Sequence, residues 1–284
     1  MIYMKIGLVL GGGGVRGLAH IGVLKELERL GVRPSVIAGC SMGSIIGAFY
    51  AAGKSALEIE EFVLQLKLYS FFELSVSRLG IEKPKKLEKA IEGFVGVTRF
   101  EDLGIPLYVN ATNISKGQEE VFSEGDIMKA IRASISVPGV FAPVSIEGDY
   151  YIDGGIMNLS PVTALPKNTD AYIVVNVSPK DTVQNKKDLS LARLMSISNR
   201  LSGNEIVRLQ LEMLDERGKK YVFIEPNVGE WRLFEMEREF AKIIVRGEAA
   251  AAEKEKDIKR LVHQKEGIFE KVKELLHVPD TARE

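Results

Sequence analysis

Val36-Ile37-Ala38-Gly39-Cys40-Ser41-Met42-Gly43-Ser44-Ile45-Ile46-Gly47-Ala48 places a G-x-S-x-G turn between two apolar runs of different period. Val36 to Ala38 reads as a short strand stopped at Gly39. Ser44 to Ala52 reads as a buried helix that ends at Gly53. A serine on such a strand-to-helix turn has its hydroxyl pushed away from the sheet, and the helix that follows aims unpaired N–H groups at any negative charge developing there. A plain turn built of small residues has the same letters, so the function of Ser41 has to be argued from what surrounds it.

Upstream, Ile6-Gly7-Leu8-Val9-Leu10 is a second short apolar run that enters Gly11-Gly12-Gly13-Gly14-Val15-Arg16-Gly17. Leu18, Ile21, Leu24 and Leu27 then follow at helical spacing until Gly31. Strand, helix, strand, helix at this spacing predicts a parallel sheet. The glycine run exposes several backbone N–H groups at a helix N-terminus, a cradle for an oxyanion or a phosphate. Gly12 to Gly17 also fits G-x-G-x-x-G, so a nucleotide-binding, Rossmann-like protein is the competing reading. That reading calls for an acidic residue about 20 positions on, at the end of the second strand. Ala38-Gly39-Cys40-Ser41 stands there instead. No G-K-[ST] follows the glycines, which removes a P-loop.

Downstream, Leu107 to Thr112 pairs with Glu120 to Ser123 as a hairpin, Asp126 caps a helix running through Ser134, and Val144 to Ile146 pairs with Tyr150 to Ile152. Asp153-Gly154-Gly155 follows, a loop that is an ordinary turn when taken alone. The histidine census raises its weight. A serine hydrolase normally uses a histidine base, and this chain has three histidines: His20 on the first helix, and His263 and His277 in the charged C-terminal region. His20 precedes the apolar Ile21 and reads as a packed helix residue. If Ser41 is a nucleophile, its base is then a carboxylate, and Asp153 is the best placed.

The glycine loop with Arg16, the Ser41 turn and the Asp153-Gly154-Gly155 loop, in this order, resemble the patatin-like phospholipase family. Ala133 to Val144 and Asp153 to Val162 resemble it as well, and the likeness covers about residues 5–177. The resemblance implies a three-layer α/β/α fold with a mostly parallel central sheet. It implies Ser41 as nucleophile, Asp153 as base, and Gly12, Gly13, Gly14 and Arg16 as the oxyanion hole. Gly17, Gly39, Gly43, Gly154 and Gly155 flank these motifs. The implied activity is hydrolysis of carboxylic esters of lipids, of phospholipase A, lysophospholipase or general esterase type; a catalytically inactive binding protein on the same fold is the other possibility. Cys40 stands where family members often carry Thr, and Leu159-Ser160 replaces a more usual Asn- or Pro-containing pair. Both departures bear on substrate preference rather than on the dyad.

The chain as a whole agrees with this expectation. Its 284 residues are 45% hydrophobic and 27% charged, and 38 Lys and Arg against 39 Asp and Glu leave a net charge of −1. Such a balance gives no overall attraction to nucleic acid. One cysteine and three histidines make a Cys/His metal site improbable, and neither a metal nor a cofactor is expected. No signal peptide is read at the start, and the longest apolar stretch, Ile45 to Ala52, is far short of the roughly 18 residues of a spanning helix. The expected location is the cytoplasm, with peripheral contact on the inner membrane surface as the route to a lipid. A single domain over residues 1–284 is expected, with a helical extension over about 234–276 and a mobile loop over Ser178 to Asp188. Phe62 to Phe72 reads as core, with a lid over an acyl chain as the functional alternative.

Overall fold

A computed structural model describes residues 4–65, 75–77, 80–82, 85–178, 191–229 and 239–262. Strand β1 (Ile6–Leu10) is buried along its whole length, as a strand covered on both faces must be. It pairs in parallel with β2 (Val36–Gly39) on one side and β9 (Ala171–Val175) on the other. Beyond β9 lies β10 (Lys220–Ile224), also parallel. Beyond β2 lies β5 (Leu107–Asn113), which is parallel to it. The sheet then turns antiparallel through β8 (Asp149–Asp153) and β7 (Val144–Ile146), while β6 (Gln118–Phe122) also pairs with β5. The sheet is therefore mixed, with a parallel core and an antiparallel end. A separate antiparallel pair is formed by β3 (Ser75–Ser77) and β4 (Gly80–Glu82).

Alternation along the strands sends residues into two cores. Leu8, Leu10, Ile37, Leu107 and Ile173 join a large cluster with α1 (Ala19–Arg29), α2 (Met42–Ala51), α3 (Ala56–Gln65), α5 (Ile127–Ser134) and α7 (Phe240–Glu253). Val9, Ala38, Tyr172 and Val174 face the opposite way, toward Leu214 of α6 (Leu191–Glu216). Helices on both faces of one sheet give the expected three layers. Helix α4 (Lys85–Val95) completes the layer around α2, where Phe94 stacks on Phe62 at 3.9 Å and both meet Phe49 edge-on. Phe62 and Val63 are thus core residues; positions 66–72 of the lid alternative lie outside the described residues.

The C-terminal helical extension packs an apolar face of α7 against α1. Phe240, Ile243, Ile244, Gly247 and Ala251 of α7 are buried. A Cβ on Gly247 would lie 1.9 Å from the Ala19 carbonyl oxygen, so α7 and α1 touch backbone to backbone. In the helical turns at 255–262, Ile258 and Leu261 are buried among the mixed charges. Their i, i+3 spacing is an inward stripe that the density of charges disguises. The proposed mobile loop begins at Ser178, which is buried, and its remaining positions lie outside the described residues.

Candidate active site

The chain moves to opposite sides after β1: β2 and β5 lie one way, β9 and β10 the other. In open α/β sheets the crevice outside the carboxyl ends of the strands at such a switch point is the usual ligand site. Every motif singled out in the sequence converges there.

Ser41 sits between the end of β2 and the start of α2 with φ 51° and ψ −123°. For a residue with a Cβ this is a strained backbone, costing about 1–3 kcal/mol, and such strain persists only where neighbours enforce it. Here they do. The Ser41 N–H donates to Ser134 Oγ at 2.8 Å, and Ser44 Oγ donates to the Ser41 carbonyl at 2.6 Å. A Cβ on Gly43 would lie 2.0 Å from the Leu10 carbonyl oxygen, and one on Gly39 would lie 2.6 Å from that of Gly43. The two glycines of the motif are therefore required for α2 to start this close to β1 and β2.

Asp153 reaches the same place through strand register. Val109 of β5 is paired with both Gly39 and Phe122, and Ala111 with both Asp153 and Glu120. Strand β6 occupies one edge of β5 from Val109 to Asn113, and β2 and β8 share the other edge in succession. Asp153 thus ends its strand just past the point where β2 turns into Ser41. Asp153 Oδ1 lies 4.0 Å from Cys40 Sγ, accepts the Gly155 N–H at 2.7 Å, and is buried. The Asp153 N–H donates to the Ser136 carbonyl at 2.9 Å, and Thr112 Oγ1 donates to the Asp153 carbonyl at 3.0 Å. Behind the loop, Gly154 packs on Asn110, whose amide donates to the Asn158 carbonyl; Gln210 of α6 donates to Asn158 Oδ1.

Ser134 and Ser136 were not singled out from the sequence, yet one anchors the Ser41 amide and the other the Asp153 amide. The stretch Ala133 to Val144 is the piece that ties the two motifs together. Cys40 is no rival nucleophile: burial, and then the charges of Asp153 and Glu119, push its thiol well above its ordinary pKa.

Within the glycine loop the N–H groups have different fates. Gly11 donates to the Val175 carbonyl at 3.0 Å and Gly12 to the Leu159 carbonyl at 2.8 Å. Gly12 is beside Ser41, since a Cβ there would lie 3.3 Å from Ser41 Cβ, but its N–H is already committed. The N–H groups of Gly13, Gly14 and Met42 donate to no acceptor among the described residues. Arg16 Nε donates to the Gly13 carbonyl at 3.1 Å. Because a trans peptide points its C=O and N–H in opposite directions, this bond turns the Gly14 N–H away from Arg16. Gly17 closes the turn against Met42, 2.6 Å from where its own Cβ would be. Arg16 is buried, and burial followed by repulsion from Arg200 holds its pKa down to about 10.

His20 is fully buried on α1, with Nε2 2.7 Å from the Gly11 carbonyl oxygen. The carbonyl can only accept, so Nε2 carries the proton. Burial, partly opposed by this bond, pushes the pKa from 6.5 down to about 4. A native pKa below the unfolded one means that the unfolded chain binds the proton first. The stability contributed by neutral His20 is complete above pH 6.5 and is lost as pH falls toward 4. That window corresponds to about 3 kcal/mol. His20→Asn should therefore be less stable than wild type in urea melts at about pH 7.5, with the gap narrowing at about pH 4.5. A gap independent of pH would count against a neutral, buried His20.

The sequence model for patatin-like phospholipases matches residues 8–166. An NTE family protein of Mycobacterium tuberculosis is 36% identical over 181 residues, 61% of this chain and 49% of that protein. A protein of Aspergillus fumigatus named lysophospholipase nte1 is 35% identical over 204 residues, 69% of this chain and 13% of that protein. This chain thus spans half or less of the length of these curated relatives. Among solved structures, VipD from Legionella pneumophila superposes with a TM-score of 0.59 at 14% identity, covering 90% of this chain and 67% of VipD, which is a likeness of fold. With Ser41 rather than a carboxylate at the end of β2, and with the family match spanning all three motifs, the chain belongs to the patatin-like phospholipases.

Proposed function

We propose that this protein is a serine acyl hydrolase cleaving carboxylic esters of lipids, of lysophospholipase or phospholipase A type, through Ser41 and Asp153. The observation that carries this reading is the strained Ser41 turn with Asp153 brought to the same edge of β5. Asp153 takes the hydroxyl proton as Ser41 Oγ attacks the ester carbonyl. The N–H groups of Gly13, Gly14 and Met42 receive the oxyanion, with Arg16 orienting the Gly13-Gly14 peptide and Gly12 holding the loop in place. Collapse of the tetrahedral intermediate expels the alcohol, which takes the proton from Asp153. Water then attacks the acyl-enzyme with Asp153 again as base, the bond between Ser41 Oγ and the acyl carbon breaks to release the carboxylic acid, and the proton held by Asp153 returns to Ser41 Oγ. All of these residues fall within 5–177.

The test is hydrolysis of p-nitrophenyl esters of increasing acyl length beside a phospholipid and lysophospholipid panel. Turnover that rises with acyl length supports a lipid ester; no turnover of any ester would make the chain a binding protein on this fold. Among the described residues no helix is long and apolar enough to cross a membrane. Access to lipid is proposed to be peripheral, from the cytoplasm. The mechanism uses no metal, and no cluster of three or more potential ligands occurs among the described residues. EDTA should accordingly leave turnover unchanged; a loss restored by calcium would reveal an ion site.

A further inference from the structure

A groove separate from the crevice around Ser41 lies toward the amino ends of the strands. Its volume is about 580 Å³, and it is lined by Val162 and Leu165, which follow the Asp153 loop, and by Met213 and Leu214 in the last turn of α6. All four belong to or pack against the core on the α6 face of the sheet. Tyr172, the second residue of β9, also lines it. Strands β9, β1 and β2 run parallel, and Ser41 stands past the carboxyl end of β2, so the groove and the crevice are at opposite ends of the sheet.

The floor is apolar and the rim is cationic. Lys167, Arg217 and Lys219 line the groove, and among the described residues no carboxylate does. Lys219 Nζ donates to the Thr169 carbonyl at 2.7 Å, which fixes one ammonium at the rim with N–H groups to spare. Lys167 and Arg217 are exposed and form no ion pair among the described residues. Burial raises the pKa of Tyr172, and the positive charge of Arg217 is one of the effects that oppose it, so this guanidinium acts at the floor as well. Asp215 and Asp170, close in sequence, are engaged elsewhere: Asp215 accepts from the Tyr221 hydroxyl at 3.1 Å, and Asp170 accepts the Lys5 N–H at 2.9 Å. An apolar floor takes a hydrocarbon, and a cluster of cations takes an anionic head with several acceptor oxygens. The volume lies within the range of about 300–1,000 Å³ for small-molecule sites, which fits one chain and not the face of a bilayer.

We propose that this groove binds a single-chain fatty acid, with the hydrocarbon along Val162, Leu165, Met213 and Leu214 and the carboxylate among Lys167, Arg217 and Lys219. The naming of a fatty acid rests on the lipid-ester reading, since hydrolysis of such an ester releases one. The groove then holds product at the far end of the sheet, where it does not compete with substrate for Ser41.

The experiment uses the full chain and a diazirine-bearing analogue of palmitic acid, with the cross-linked peptides identified by mass spectrometry. Label is expected on the peptides carrying Val162 to Leu165 or Met213 to Arg217. Excess laurate should suppress it, and dodecanol, the same chain without the charge, should not. Lys167→Gln combined with Arg217→Gln, both at exposed positions, should lower this labelling by about fivefold or more, and Lys167→Arg with Arg217→Lys should restore it. Should the glutamine variant melt early, the contrast between laurate and dodecanol in the wild type decides the point. Label confined to peptides around Ser41, or unchanged in a glutamine variant that melts like the wild type, overturns the groove. Phosphatidylglycerol vesicles that suppress the label as well as laurate does would make the groove a bilayer contact and overturn the free acid as its occupant. Ester hydrolysis that fails while the labelling pattern holds would overturn the lipid-ester reading and support the groove.

Discussion

Ser41→Ala is expected to fold as the wild type does and to lose turnover by on the order of 10⁵–10⁶-fold, the scale seen when an activated nucleophile is removed. The fold should survive because the bonds that enforce the turn are made by the Ser41 backbone, to Ser134 and Ser44, and alanine keeps both. Alanine also has the same Cβ, so the strain at φ 51° is neither relieved nor increased. The chemistry should not survive. Cys40, the adjacent candidate, is held as a buried protonated thiol, and no other nucleophilic side chain shares the turn. The checks are a melting curve, ester hydrolysis, and the peptide carrying an organophosphonate adduct. An adduct on a residue other than Ser41, or a mutant that keeps wild-type turnover, would remove Ser41 from the mechanism.

What was legible in the sequence was local. The spacing of Gly39, Ser41 and Gly43 prescribes a turn, because a Cβ at either glycine would strike backbone within a few residues or on the neighbouring strand. Asp153 as a candidate base was proposed from the sequence by elimination, because none of the three histidines reads as a base. Its route to Ser41 was not, because it depends on β8 taking over the edge of β5 that β2 leaves, a pairing across more than 100 residues of intervening chain. The same limit applies within the glycine loop. Three consecutive amides look equivalent in sequence, and only the Leu159 carbonyl, far along the chain, removes Gly12 from the donor set. Ser134 and Ser136 carried no chemical signature, since a hydroxyl accepting a backbone N–H and a carbonyl doing so are open to many residue positions. Burial of Ile258 and Leu261 was legible in principle, but the charges between them dominate a reading by composition.

Asp153→Asn is expected to lower kcat by about 10²–10⁴-fold, the range for loss of a general base. The substitution keeps size and shape, and an amide oxygen in the place of Oδ1 can still accept the Gly155 N–H, now at 2.7 Å. Strand pairing and the bonds from the Asp153 N–H to Ser136 and from Thr112 to the Asp153 carbonyl do not involve the side chain. Folding should therefore be retained while the proton acceptor is lost. The competing base is His20, which is fully buried, points Nε2 at the Gly11 carbonyl and is neutral down to about pH 4. His20→Asn should consequently act on stability and leave kcat within a few fold. The pH profile separates the two as well. With a carboxylate base, kcat/KM of the free enzyme falls toward low pH through one acidic ionisation, because the protonated acid cannot accept the Ser41 proton. That limb should vanish in Asp153→Asn and persist in His20→Asn. A wild-type kcat in Asp153→Asn together with its abolition in His20→Asn would transfer the role of base to the imidazole and leave Asp153 as a structural residue of its loop.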